Sequence, residues 1–238
     1  MAQYETRKGC KDIWNAFMVE GADFSKSKHD IPMCPTTAKE LPTDIITYTE
    51  AKAIYRKQLK LGNKDFKNDS YVCFYEDDYK FDSSKGIWHF YEFADRYLKH
   101  FAGIITPDFS TYQDFPEPLK KYNTYRMRAF GYWQGRLGNN VINNVRWGTK
   151  ESWDYCFDGI PKNSIVAIGT VGSGIRHLEN RSLFDEGFME MIKRLKPHAI
   201  IVYGSSNYPI FNYAELLGIN IVSFQSKTAK DFAKRVAI

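Results

Sequence analysis

Cysteine is scarce: the 238 residues hold four, Cys10, Cys34, Cys73 and Cys156, far apart and without a C-x-x-C or Cys/His pairing of the kind that holds zinc. They read as reduced thiols, with Cys73, in an apolar run, belonging to the core. Nowhere do about 18 apolar residues occur together, so no membrane span is expected. The amino terminus, Met1 to Lys8, has no apolar run behind its charges, and the chain reads as a soluble, non-exported protein. Neither G-x-G-x-x-G nor the P-loop lysine is present, which removes the familiar dinucleotide and nucleoside triphosphate motifs. There is no internal repeat and no low-complexity segment. Excess charge of one sign is also small, with 33 Lys and Arg against 28 Asp and Glu for a net +5. Its location says more: Lys52, Arg56, Lys57, Lys60, Lys64 and Lys67 form one basic cluster, and Lys227, Lys230, Lys234 and Arg235 another. Such clusters can track a phosphate backbone or simply be solvated helix surface. Nucleic-acid binding that rested on them would be weak and strongly salt-dependent.

What is present is a repeated grammar. Gly103 to Ser110 is an apolar run that ends in Thr106, Asp108 and Ser110 and is followed by a long amphipathic segment. The pattern returns at Val141 to Trp147, Ile165 to Thr170, Ala199 to Ser205 and Ile219 to Gln225, the signature of β/α units around a parallel sheet. With short runs at Ile45 to Tyr48 and Tyr71 to Tyr75, about seven units are expected, each strand followed by a helix. That rhythm predicts a TIM-barrel-like fold, closed or incomplete, with an open doubly wound sheet as the alternative. Residues 1–44 carry Pro32, Pro35 and Pro42 and read as an irregular arm with a short helix around Lys11 to Met18; residues 45–238 read as one α/β domain. A helix is expected from Thr49 to about Leu61, another from Trp88 to Phe101, the longest from Pro118 to Leu137, and others over Leu183 to Leu195, Tyr208 to Leu217 and Thr228 to Val236. Glu151 to Phe157 reads as a short helix or turn.

Five motifs in order, Phe74-Tyr75-Glu76-Asp77-Asp78, Thr106-Pro107-Asp108-Phe109-Ser110, Tyr125-Arg126-Met127-Arg128, Asn144-Val145-Arg146-Trp147 and Cys156-Phe157-Asp158-Gly159-Ile160-Pro161, resemble an uncharacterised family of phage and mobile-element proteins, domain-of-unknown-function family 4417. The resemblance runs roughly from Tyr71 to the end. It implies a protein of the host cell's cytoplasm, often encoded by mobile DNA, and supplies neither an activity nor catalytic residues.

In β/α folds the site lies at the carboxyl ends of the strands. There the sequence puts the candidate catalytic carboxylates Asp77, Asp78 and Asp108, on neighbouring strand tips where acid/base chemistry or a divalent metal could use them. The plainer reading makes Asp77 and Asp78 turn openers and Asp108 a loop cap. Arg146 beside Trp147, with Asn144, suits a phosphate plus a base or sugar. Of Arg126 and Arg128, on one helix, at most one faces the site, and Arg128 is equally readable as the partner of Asp108 or Asp158. Gly169, Thr170 and Gly172 follow a strand in a glycine-rich turn whose amides could cradle an anion, and Gly204 with Ser205 could make a second cradle. His177 and His198 are isolated, and Cys156 has no histidine placed to activate it. The expected function is a nucleotide- or nucleic-acid-directed protein, with hydrolysis or transfer of a sugar or base as its chemistry. The alternative is a non-catalytic module that sequesters a nucleotide or binds a host protein.

Overall fold

The computed structural model describes residues 8–236, so all but the last residue of the amino-terminal stretch Met1 to Lys8 lies outside the described residues. Seven strands form one parallel sheet in strict sequence order: β1 (Ile45–Thr47), β2 (Asn68–Cys73), β3 (Phe101–Ile105), β4 (Asn140–Asn144), β5 (Ile165–Gly169), β6 (Ala199–Tyr203) and β7 (Asn220–Phe224). The helices are α1 (Tyr48–Lys60), α2 (Tyr91–Leu98), α3 (Glu117–Arg136), α4 (Leu178–Leu195), α5 (Pro209–Leu216) and α6 (Lys227–Val236). An order without reversal has no switch point, so the doubly wound alternative is excluded. No helix among the described residues is long and apolar enough to cross a membrane.

The sheet curls into an incomplete barrel. A flat parallel sheet would separate β2 from β6 by roughly 19 Å, four strand spacings. Instead the rings of Tyr75, just past β2, and Tyr203, ending β6, stack with centroids 5.2 Å apart. Across the gap between the outer strands, Lys230 of α6 reaches Asp44 and the Ile45 carbonyl, each at 3.3 Å. Strand alternation divides the core accordingly. Ile45, Cys73, Ile105, Ile142, Ile165 and Ile201 pack together inside the curl. Their neighbours Ile46, Val72 and Ile104, and on the other half Val166, Ile168, Ile200 and Val202, turn outward beneath the helices.

Several expected elements shift for identifiable reasons. α1 starts at Tyr48 because Thr47 and Glu50 form a reciprocal capping box, in which the Glu50 N–H donates to Thr47 Oγ1 at 3.3 Å and the Thr47 N–H to Glu50 Oε2 at 2.8 Å. The Trp88 to Phe101 segment is helical only over Tyr91–Leu98, and Phe101 already belongs to β3. One unit departs from the pattern of a helix after every strand: only a 3₁₀ turn, Lys150–Asp154, follows β4. Ser152 Oγ accepts from the Gly148 N–H at 2.9 Å and donates to the Thr149 carbonyl at 2.7 Å, so side-chain bonds satisfy backbone that a helix would otherwise use. Likewise, the short helix expected near Lys11 to Met18 is a 3₁₀ turn at Ala16–Val19.

The amino-terminal arm closes the other end of the barrel. The Thr37 and Ala38 N–H groups donate to the Val141 carbonyl, and the Val141 N–H donates to Thr37 Oγ1 at 2.8 Å. Asn143 Nδ2 donates to the Cys34 carbonyl at 2.8 Å. Accordingly, β4 pairs with β5 only through Asn143 and Asn144.

Candidate functional site

At the carboxyl ends of the strands opens a cavity of about 590 Å³, walled by residues from or just after all seven. Its floor carries a chain of hydrogen bonds. Tyr75 Oη donates to Asn144 Oδ1 at 2.9 Å, Asn144 Nδ2 donates to Asp108 Oδ1 at 2.9 Å, and Arg146 Nη1 donates to Asp108 Oδ2 at 2.7 Å. Local structure fixes each member. Asn144 and Arg146 follow Ile142 on the inward side of β4 at the two-residue period. The Asn144 N–H donates to Thr106 Oγ1, and its carbonyl accepts from Arg128 Nη1 at 3.0 Å. The side chains of Asp108 and Arg146 are only 13% and 23% exposed, so their pairing is shielded from solvent. The nearby Asp108 carboxylate, above all, holds the Arg146 guanidinium above its usual pKa, while burial keeps the Tyr75 phenol protonated.

Asp78 opens the 3₁₀ turn Asp78–Lys80 on the β2 side and accepts from the Ser110 N–H at 3.2 Å and from Ser110 Oγ at 2.9 Å. Burial pushes its carboxyl up, against these hydrogen bonds, with Asp108 and Asp82 adding repulsion. Asp77 is exposed at the rim and pairs with Lys80 at 2.9 Å. Among the described residues no three His, Cys, Asp or Glu side chains gather as a metal site.

Other sequence candidates scatter. Arg128 is wholly buried outside the cavity and donates to the carbonyls of Asp158, Asn144 and Cys156 at 3.0 to 3.1 Å. Its partner is thus the Asp158 carbonyl rather than a carboxylate. Arg126 grips Asp82 with two 2.8 Å bonds. Trp147 borders the cavity, but its ring packs on Phe184 at 5.1 Å and lies over Gly187 of α4, where a Cβ would collide with it. Gly169 also borders it; a Cβ there would come within 2.7 Å of the Tyr75 ring. Gly172 sits on the rim. Thr170, Gly204 and Ser205 are outside the lining and form a junction of their own, Thr170 Oγ1 donating to the Ser205 carbonyl at 3.0 Å. The cavity therefore brings Asp108 and Arg146 together without Thr170.

Sequence reasoning missed Tyr75 and Tyr203 as the floor, Ser110 as the partner of Asp78, and Lys227 and Thr228 at the start of α6. Strand period alone could have placed Tyr75 inward, two residues after Cys73. The curl that brings it onto Tyr203 has no local signal.

A model of a domain of unknown function, DUF4417, matches residues 24–224. The chain belongs to that family. The match begins well before Tyr71, the expected start of the resemblance, takes in part of the arm, and stops at residue 224. This DUF4417 chain is similar to the Gene 1 protein of Mycobacterium phage L5, 32% identical over 207 residues that cover 85% of this chain and 82% of that protein. It is also similar to the Gene 1 protein of Mycobacterium phage D29, 34% identical over 209 residues, covering 87% and 71%. No solved structure matches it.

Proposed function

We propose that the strand-end cavity binds a nucleotide, with Arg146 facing its phosphate and Asp78 and Asp108 beside the bond to be hydrolysed or transferred. The observation that carries this reading is the linked Tyr75–Asn144–Asp108–Arg146 chain on the floor of a 590 Å³ cavity. Ligand sites of several hundred Å³ with a few convergent polar groups at strand ends are the usual places for small-molecule recognition. Arginine offers five N–H donors, and Asp108 takes one of them at Nη1, which leaves donors on the same fork for a phosphate. Among the described residues Asp78 has no direct cation partner, and its raised pKa suits a group that exchanges a proton.

The test is a panel of nucleosides, nucleotides and oligonucleotides, with and without divalent metal, read by thermal shift and by product analysis. A ligand at 100 times its Kd should add about 2.7 kcal/mol to stability, and Arg146→Met should abolish that shift. A panel in which nothing raises the melting temperature would sink the reading. A second reading, sequestration without turnover, has its own support: both Asp108 oxygens are already engaged, by Asn144 and Arg146. Tight binding with no product would favour it.

A further inference from the structure

Behind Arg146 lies a second, much smaller cavity of about 10 Å³, which shares Thr111, Gln113, Arg146, Trp147 and Gly148 with the large one. That volume is close to the least that holds one oxygen-sized occupant. Its lining includes two cations, Arg146 and Lys120, and no carboxylate. It also contains Tyr155, which is 1% exposed and whose hydroxyl has no hydrogen-bond partner among the described residues. A buried phenol left unpaired costs free energy unless something arrives to accept from it. Two other hydroxyls of the lining are engaged: Ser152 Oγ donates to the Thr149 carbonyl and Thr124 Oγ1 to the Lys120 carbonyl.

We propose that this side pocket is the phosphoryl end of the nucleotide site. One phosphoryl oxygen enters it and accepts from Tyr155 Oη, while the rest of the group stays in the main cavity against the unengaged donors of Arg146. The proposal rests on the reading that the main cavity binds a nucleotide, and it adds which end of the ligand lies where. One feature favours an anion over a neutral group. The carboxylates Glu76, Asp77 and Asp78 stand on the β2 side of the main cavity, whereas the small pocket opens between Arg146 and Lys120, whose own carboxylate partners, Asp108 at 2.7 Å and Glu117 at 3.8 Å, lie outside its lining. A ligand with an anionic end is thereby oriented with that end toward the pocket.

Calorimetry with paired probes, each nucleoside beside its 5′-monophosphate, and with inorganic phosphate alone, tests this on the full chain. The monophosphate should bind at least tenfold more tightly than its nucleoside. Tyr155→Phe should weaken the monophosphate about tenfold, the effect of one lost hydrogen bond, and leave the nucleoside unchanged. Because the hydroxyl is unpaired in the free protein, that variant should melt no lower than the parent; should it fail to fold, Lys120→Met supplies the same comparison. Nucleosides that bind as tightly as their monophosphates would overturn the side pocket and leave the nucleotide reading standing. A Tyr155→Phe variant with unaltered monophosphate affinity would also overturn it, since the hydroxyl then meets only a water. If no probe binds, inorganic phosphate included, both readings fall.

Discussion

Asp108→Asn keeps the shape of the side chain and removes its charge, which makes it the most informative single change in the cavity floor. The carboxylate accepts from Asn144 Nδ2 at Oδ1 and from Arg146 Nη1 at Oδ2. An amide has one oxygen, so one of those donors must face an NH₂ group instead. Turning the oxygen to Arg146 sets two amide NH₂ groups against each other, unless Asn144 flips and surrenders the bond it accepts from Tyr75. Turning it to Asn144 leaves the guanidinium, 23% exposed, against a donor and without its counter-ion. A lost charge-assisted bond at a largely buried pair should cost about 2 kcal/mol. For a chain of this size that lowers the melting temperature by roughly 4–8 °C. Combining it with Arg146→Gln should recover part of the loss, because the second change removes the stranded cation, and the double-mutant cycle should show coupling of about 1 kcal/mol or more. Differential scanning calorimetry of the four proteins measures both quantities. An Asp108→Asn variant as stable as the parent, or more stable, would refute the reasoning, because the Asn144 and Arg146 bonds to the carboxylate would then add nothing to stability.

Three other outcomes follow from particular residues. Arg128→Met leaves three buried carbonyls, those of Asp158, Asn144 and Cys156, without their donor, and should cost about 4 kcal/mol in denaturant unfolding; a loss under 1 kcal/mol would mean that water replaces the guanidinium. Cys34, Cys73 and Cys156 are buried, with burial pushing the Cys34 and Cys156 thiols up to about 12, so a thiol reagent at neutral pH should modify only the exposed Cys10 in the native chain and all four after unfolding. Asp78 has a folded pKa raised above its usual value, so folding favours its protonated form: the stability it contributes is fully present below the unfolded pKa and is lost as pH rises through the raised one. The melting temperature of Asp78→Asn relative to the parent should therefore improve between pH 3 and pH 7, and a constant difference across that range would contradict the assignment.

Much of this fold is legible in the sequence because each strand is a local event. β6, Ala199–Tyr203, falls within the expected run Ala199 to Ser205, and α3 differs from the expected Pro118 to Leu137 by a single residue at either end, because a β-branched run and a long helix between punctuating residues need no distant partner. Asp108, Asn144 and Arg146 were legible as a group for the same reason: each sits at or just past the end of an apolar run. What escaped depends on contacts between distant segments. Thr170 and Gly204 look like cradle residues in sequence, yet the close approach of the β5 and β6 ends turns Thr170 Oγ1 onto the Ser205 carbonyl. Gly169 reads as an amide left free for an anion, but the ring of Tyr75, from a strand three places away in the sheet, is what occupies the space beside it.

That same ring explains why the barrel has its cavity at one end. Tyr75 and Tyr203 meet across the interior and divide it in two. On one side the inward residues are Ile45, Ile105, Ile142, Ile165 and Ile201, packed together with Ala38 and Leu41 of the arm, so that end is apolar and filled. On the other side the inward positions become Asn144, Asp108 and Arg146, which a filled core would not tolerate without solvent or a ligand. The two phenols suit the boundary because each has an apolar ring and a polar tip. Tyr75 Oη donates to Asn144, and Tyr203 Oη accepts from the Lys227 N–H at the start of α6. The stack therefore ties the floor of the cavity both to the Asp108–Arg146 pair and to the helix that bridges the open seam between β7 and β1. Shortening either ring would open the filled half to water and loosen the polar half in one step. For that reason Tyr75→Leu should impair folding and ligand response together, whereas Arg146→Met should remove the ligand response with a smaller loss of stability.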